Sequence, residues 1–486
     1  MRPSVPGDVQ PRLPDPPLRI FVNRNLRMDT IKAVGFDMDY TLARYSKEHM
    51  EALAHRVTID KLIERGYPEE IRRLEYDRDF VIRGLTVDKQ LGNIIKLDRH
   101  NHAGRAMHGR RKLSKRERRR LYRSERIHFS GPRFAVGDTL FSLPEMCLYA
   151  DLVELFESRA DLHPDPWQTF DDTRECIDEA HRDDTLKSVI KGDLDSYVER
   201  DPLLCRTLHK LRSGGKKLFL LTNSHWDYTA AVMSYLLDGD LREYPTWQRY
   251  FELIVVAAHK PGFFTGGEPF AALDSSGTVL ERPAVRLEKG RAYQGGNRKE
   301  LERFLGFSGD EILYVGDHIY GDILRSKKAS LWRTALVVEE LEREIRVMNE
   351  NRRVVDRLAA LENERRELDD LALLEAQGLA GLKKTIGLKN TRGSAKFETL
   401  RKARDRTKRR LKKVLREIET LEADLDRAFN DNWGMVFKEA RENSRFGEQV
   451  TDYACLYTSR VSNFLGYSTH QYFRGPRDLM PHERLV

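Results

Sequence analysis

IKAVGFDMDYTLARY, residues 31–45, is the stretch on which the fold turns. Its first six positions, Ile31 to Phe36, are almost all apolar or small. They close on two carboxylates one residue apart, Asp37 and Asp39, with Thr41 just behind. A short run without polar alternation reads as a strand covered on both faces. Three more runs of this kind follow: KKLFLL (216–221), FELIVVAA (251–258) and EILYVG (311–316). WRTALVV (332–338) is a fifth candidate. Helical patterns such as DYTAAVMSYLLDG lie between them, and strands alternating with helices predict a doubly wound parallel α/β sheet.

Spacing divides the remainder of the chain. The interval between the first and second strands is far too long for one crossover, so residues 46–212 are expected to form an inserted domain. Residues 21–45, 213–338 and 431–486 then make up the α/β core. Residues 1–20, rich in proline and without an apolar signal segment, read as a disordered arm. Residues 339–430 carry apolar side chains near heptad spacing in two runs, Leu341 to Leu358 and Leu411 to Leu425. The breaker stretch GLKNTRGSAK lies between them, which predicts an antiparallel helical hairpin. The closing segment from Asn432 to Leu465 reads as helical.

Each strand end offers a polar group. The first gives Asp37 and Asp39, the second Thr222, Asn223 and Ser224, and the third Lys260. The fourth gives Asp317, with Asp322 beyond it in GDHIYGD. Reactive groups of an open α/β sheet collect at the carboxyl ends of its strands. Clustered carboxylates raise one another's pKa unless a cation sits among them, and Mg²⁺, which takes few carboxylates and keeps room for phosphate oxygens, suits such a set. Three acids, a hydroxyl and a lysine around that ion point to phosphoryl transfer.

D-x-D-x-T after one strand, Thr after the next, a later Lys, and G-D-x-x-x-x-D after another resemble the signature of the haloacid dehalogenase superfamily of phosphohydrolases. FVNRNLRMDTIKAVGFDMDYTLARY, LLTNSHWDYT, ILYVGDHIYGDILRSKK and the tail LMPHE are similar to the cytosolic purine 5'-nucleotidase family. The resemblance implies Asp37 as nucleophile and Asp39 as general acid and base. It assigns Mg²⁺ to the Asp37 side chain, the Asp39 carbonyl and Asp317. Thr222, Lys260 and Asn223, with Ser224, would hold the phosphoryl group, and Asp322 would orient Lys260 or a metal-bound water. Thr41 would support the loop.

RECIDEAHRDDTLK places Arg174, Asp178 and His181 on one helical face. The same spacing followed by a lysine, here Lys187, resembles that family's substrate-pocket helix, and Phe141 in TLFSLPE matches its base-stacking phenylalanine. A carboxylate only accepts hydrogen bonds, so Asp178 suits hypoxanthine and guanine, whose N1 carries a proton, over adenine. The implied substrates are IMP and GMP, with transfer of phosphate to nucleosides as a further activity. Where the family's adenine-nucleotide effector site uses arginines, this sequence has His128 and Asp452, beside Tyr320, Lys328, Gln449 and Tyr453. Activation by ATP in unchanged form is therefore not expected.

A formal charge of +8 fits an anionic small substrate as well as a nucleic acid. The basic stretch 99–126 has almost no aromatic side chains to stack on bases, so nucleic acid is not expected as a partner. Four scattered cysteines fit a reducing cytoplasm. No run spans a bilayer, and a homo-oligomer, dimer or tetramer, is implied by the resemblance. Two competing readings remain open on the residues: a phosphatase for another phosphometabolite, and an interaction protein using the basic stretch and the helical arm.

Overall fold

The computed structural model describes residues 14–122, 127–159, 165–324, 330–386 and 394–476. Its centre is a ten-stranded sheet. In chain order the strands are β1 (Phe21–Val22), β2 (Ala33–Phe36), β3 (Lys217–Leu221), β4 (Leu253–Val256), β5 (Phe270–Leu273), β6 (Val279–Glu281), β7 (Ala292–Gly295), β8 (Ile312–Gly316), β9 (Arg333–Val337) and β10 (Leu456–Thr458). Across the sheet they run β1-β10-β9-β8-β2-β3-β4-β7-β5-β6. From β10 to β7 all neighbours are parallel; β1, β5 and β6 add antiparallel edges.

This is the doubly wound parallel α/β core that the strand-end motifs call for. All five strands read from the sequence are present. β1, β5, β6, β7 and β10 were not foreseen: they are short or interrupted by polar residues. β10 lies within the closing segment expected to be wholly helical, which instead holds a two-strand turn, helix Arg445–Tyr453 and then the strand.

Register makes the strand ends level. Phe36 pairs with Leu220 on one side and Val315 on the other, and Leu221 pairs with Val255. The residues that follow β8, β2, β3 and β4 therefore emerge side by side. An aromatic cluster of Phe219, Phe264, Tyr314 and Trp332 fills the layer beneath. Gly35 is required there, because a Cβ would stand 2.2 Å from the Phe219 ring.

The chain leaves the core after β2 and returns before β3. Arg44–Tyr45 and Val198–Glu199 pair antiparallel, so the outgoing and incoming strands form one ribbon. The inserted segment between them, the cap, contains helices α1 (Lys47–Glu64), α2 (Ser142–Ser158), α3 (Pro166–Arg182) and α4 (Thr185–Gly192). An antiparallel five-stranded sheet accompanies them. The basic stretch supplies two of its strands, Ala103–His108 and Arg111–Lys112, and the helix Lys115–Tyr122. Of the proline-rich arm, residues 14–20 lie against the core: Thr458 and Ser459 donate to the carbonyls of Arg19 and Pro17. The rest of that arm, residues 1–13, lies outside the described residues.

Residues Arg343–Met435 form a separate compact unit. Its two long helices are α5 (Arg352–Ile386) and α6 (Ala395–Phe429). Leu361, Leu368, Val414 and Ile418 are buried between them. The cross-pairs Arg357–Glu417 and Arg410–Glu364, with the Thr407–Glu375 hydrogen bond, set them antiparallel.

Candidate active site

The strand β2 ends at Phe36, and the loop after it is wound around one carbonyl. The amides of Thr41, Leu42 and Ala43 all donate to Met38 O, at 3.2, 3.0 and 2.9 Å, and Tyr40 takes φ = 52°. The loop, and not strand alternation, therefore aims the two acids, and it aims them apart. Asp37 Oδ2 lies 2.9 Å from Lys260 Nζ, and its Oδ1 accepts from the Met38 amide. Asp39 turns toward the cap, accepting from Tyr45 at 2.6 Å and from Ser224 at 2.8 Å.

Lys260 is buried where three elements meet. Its Nζ lies 2.7 Å from Asp322 Oδ1 and donates to Tyr314 OH at 3.0 Å. Its backbone is clamped by Asn223, which accepts from the Lys260 amide and donates to its carbonyl. Burial works to lower the Lys260 pKa, but Asp322 and Asp37 outweigh it and hold the ammonium above its ordinary value.

Asp37, Asp317 and Asp322 bring carboxylate oxygens within 4.8 Å of one another. Burial pushes the Asp37 carboxyl well above its usual range, with Lys260 opposing. Burial, then Asp322, pushes Asp317 up to about 7. Three buried acids with a single touching lysine are short of positive charge, which is the donor set a hard divalent ion would complete. Asp322 thus joins the candidate ligands, beyond the orienting role expected of it. The glycine before Asp317 is dictated by this packing: a Cβ on Gly316 would lie 2.6 Å from Asp322 Oδ2.

Thr222 is fully buried, and its Oγ1 accepts from the Ser224 amide. It is not among the side chains lining the two clefts that follow. Thr41 is buried within the loop.

Two clefts meet at Asp39. The inner one, about 350 Å³, is lined by Asp37, Lys260, Asp317 and Asp322. The outer one, about 680 Å³, runs from Asp39, Asn223 and Ser224 to the cap residues Arg174, Asp178, His181 and Lys187. Phe141 lines both, edge-on to Tyr40 at 4.7 Å and to His181 at 5.1 Å. Helix α3 presents Arg174, Asp178 and His181 on one face, as the i, i+4, i+7 spacing predicts, and Lys187 follows on α4.

The cap electrostatics hold one residue the sequence did not reveal. Glu145, 1% exposed, accepts from Arg174 Nε at 2.7 Å. Burial pushes its carboxyl up to about 7, with Arg174 opposing. Burial also raises Asp178, while His181 is pushed down to about 4 by burial and then by Lys187, which keeps its ring neutral.

Tyr314, Tyr45, Tyr228 and Arg83 were likewise not foreseen. Tyr228 OH meets Tyr45 OH at 2.9 Å, and Arg83 Nη1 donates to Asp317 O at 3.3 Å while Nη2 holds Glu340. A tyrosine inside the apolar run EILYVG was the available signal, since a buried phenol needs a partner.

Of the effector positions, Lys328 and the side chain of Tyr320 lie outside the described residues, as does the tail LMPHE. His128, Gln449, Asp452 and Tyr453 are described, but none lines either cleft.

A sequence model described as the 5' nucleotidase family matches residues 20–485. A 5'-nucleotidase domain-containing protein of Dictyostelium discoideum is 30% identical over 475 residues, 96% of this chain and 75% of its own. 5'-nucleotidase domain-containing protein 2 of Rattus norvegicus is 29% identical over 482 residues, covering 96% and 80%. Among solved structures, an archaeal beta-phosphoglucomutase from Pyrococcus sp. overlaps 64% of this chain and 88% of its own. Its identity is 9% and its TM-score 0.28, too low to bear on the fold or the activity.

Proposed function

The chain belongs to the 5' nucleotidase family, and from that membership we propose that it hydrolyses purine nucleoside 5'-monophosphates, IMP and GMP before AMP, through a phosphorylated Asp37. It is a 5'-nucleotidase, a phosphoric monoester hydrolase. One observation carries the finer reading. Asp39 lines both the acidic inner cleft and the outer cleft that carries Arg174, Asp178 and His181. A phosphate seated by Lys260 would leave its nucleoside in the outer space, whose volume suits a ligand of that size.

In this reading Asp37 attacks phosphorus and the bond to the ribose 5'-oxygen breaks. Asp39 gives that oxygen a proton, then takes one from the water that attacks phospho-Asp37 and releases phosphate. Lys260 neutralises the equatorial oxygens, with Asp322 and Asn223 fixing its position. Asp37, Asp317, Asp322 and the Asp39 carbonyl would hold Mg²⁺, which when bound supplies further charge neutralisation to the phosphoryl group.

At the other end, Arg174, its Nε held by Glu145, keeps its terminal nitrogens for the 6-oxo group. Asp178 accepts from N1–H, and Phe141 flanks the base. We include in the proposal a cytoplasmic homo-oligomer and some transfer of phosphate to nucleosides. Among the described residues no helix is long and apolar enough to cross a membrane.

The test is phosphate release from IMP, GMP, AMP, CMP and simple sugar phosphates, with Mg²⁺ and with chelator. The reading requires IMP and GMP to lead by tenfold or more, on the order of one well-placed hydrogen bond, and chelator to stop turnover. A sugar phosphate turned over better than any nucleotide would move the assignment to another phosphometabolite.

A further inference from the structure

The chain's most concentrated positive charge lies far in sequence from the candidate active site. Between Lys396 and Arg416, helix α6 carries eleven lysines and arginines against two acids, Glu398 and Asp405. The facing helix α5 carries seven of each sign. Lys402, Arg406, Arg409, Lys413 and Arg416 recur at steps of three and four, so they share one face. The apolar face of the same helix, with Thr407, Val414 and Ile418 buried, points the opposite way into the hairpin.

All five cations are exposed, and none has a carboxylate partner among the described residues. Their neighbours do: Arg401 pairs with Glu398 at 2.9 Å and Arg410 with Glu364 at 2.8 Å. Stacking like charges at i, i+4 works against a helix, so an unpaired stripe of this length is not what solubility alone asks for.

We propose that this outward face of α6 binds the phosphate backbone of double-stranded nucleic acid without reading its sequence. At 1.5 Å per residue the stripe is about 21 Å long, with a cation every 4.5–6 Å or so. The stripe holds no apolar side chain, whereas a protein partner needs an apolar centre to bury. It holds no aromatic either, and Phe397 of the same helix is buried, so a single strand would find nothing to stack on. What remains complementary is a rigid row of phosphates. The basic stretch 99–126, whose composition first raised the question, spends four arginines internally: Arg99 on Glu448, Arg105 on Glu439, Arg110 on Asp151 and Arg111 on Glu117.

The experiment is fluorescence anisotropy of the full chain with short RNA and DNA duplexes, two unrelated sequences of each, and the single strands. Five neutralised phosphates predict a slope of about −4.5 in log K against log salt, and a loss of about 500-fold between about 50 and about 200 mM. The variant K402Q/R406Q/R409Q/K413Q/R416Q keeps helix-forming side chains. It should retain its circular dichroism and its mononucleotide hydrolysis, flatten the slope and lose about 100-fold or more in duplex affinity. K402Q/R409Q should fall between.

The RNA and DNA arms show which duplex is preferred, and binding to either supports the proposal. No duplex binding by the parent chain, or binding unchanged in the five-fold variant, overturns it. So does a variant that changes only the oligomeric state in sedimentation, which would assign the stripe to the acidic half of α6, Glu417 to Asp426, on a second copy.

Discussion

At the edge of the parallel sheet the charged groups answer one another. Lys260 lies within 3 Å of both Asp37 and Asp322, and Asn223 pins its backbone from two sides. Along the cap cleft the same kinds of side chain stand apart. Arg174 is held by Glu145, but Asp178, His181 and Lys187 have no hydrogen-bond partner among the described residues. The first region is assembled before any substrate arrives, and the second presents unused donors and acceptors. Preorganised charge belongs where charge develops in a transition state, and open polar groups belong where one base is told from another. Changes at the sheet edge should therefore lower kcat, and changes in the cleft should move KM and the order of substrates.

The largest effect expected is that of Asp37→Asn, which removes the proposed nucleophile while keeping shape. Phosphate release should fall on the order of 10,000-fold or more, with an unchanged melting temperature in the presence of metal. A variant with a tenth of the parent rate would break the comparison at its stronger end.

Lys260→Ala comes next. It leaves Asp37 and Asp322 facing each other without their cation. The rate should drop about 100- to 1,000-fold, and stability by about 3–5 kcal/mol, the usual cost of stranding a buried charge. Calorimetry with and without Mg²⁺ sharpens this, since the ion should restore part of the stability.

In the cleft the scale shrinks. Arg174→Ala should raise KM for IMP and GMP about 10- to 100-fold with kcat nearly kept, the range for a hydrogen bond to a charged group. Asp178→Asn, which can donate as well as accept, should narrow the gap between GMP and AMP by roughly tenfold. A loss of kcat with KM intact in either variant would contradict the division of labour.

The smallest effect is in pH. Glu145 titrates near 7, above its ordinary value, because burial penalises its charge. The unfolded chain gives up this proton at lower pH than the native one, so this group's contribution to stability falls as pH rises from about 4.5 to about 7. Binding runs the other way: below 7 the protonated carboxyl releases Arg174, and KM should rise about two- to fivefold from pH 8 to pH 6. In Glu145→Gln that slope should be absent.

The comparison also marks what was legible in sequence. The four principal strand ends could be read because each apolar run stops at a polar residue of fixed kind, and a parallel sheet aligns those stops. Asp37, Lys260, Asp317 and Asp322 followed from that alone. The helical period placed Arg174, Asp178 and His181 on one face, and the resemblance to the nucleotidase family, not the period, singled that face out as a substrate pocket.

Glu145 was not, since its partner sits 29 residues away on another helix and its neighbours in SLPEM give no hint of burial. The turn of Asp39 toward Tyr45 depends on the left-handed Tyr40, which no alternation rule supplies. Short strands such as β1 and β10 escaped because two or three residues carry no pattern. The strands of the basic stretch escaped because polar and charged residues break their apolar pattern, although they pair with near neighbours, Ala103–His108 with Asn93–Leu97 on one side and Arg111–Lys112 on the other.

The central claim is that Asp37 carries the phosphoryl group between nucleotide and water. Rapid acid quench of the enzyme turning over ³²P-labelled GMP, followed by peptide mapping, tests it most directly. The account predicts label that is stable in acid, lost in base, and confined to the peptide holding Asp37, with none in Asp37→Asn. Label on another residue, or full turnover by a chain that never becomes labelled, would contradict it.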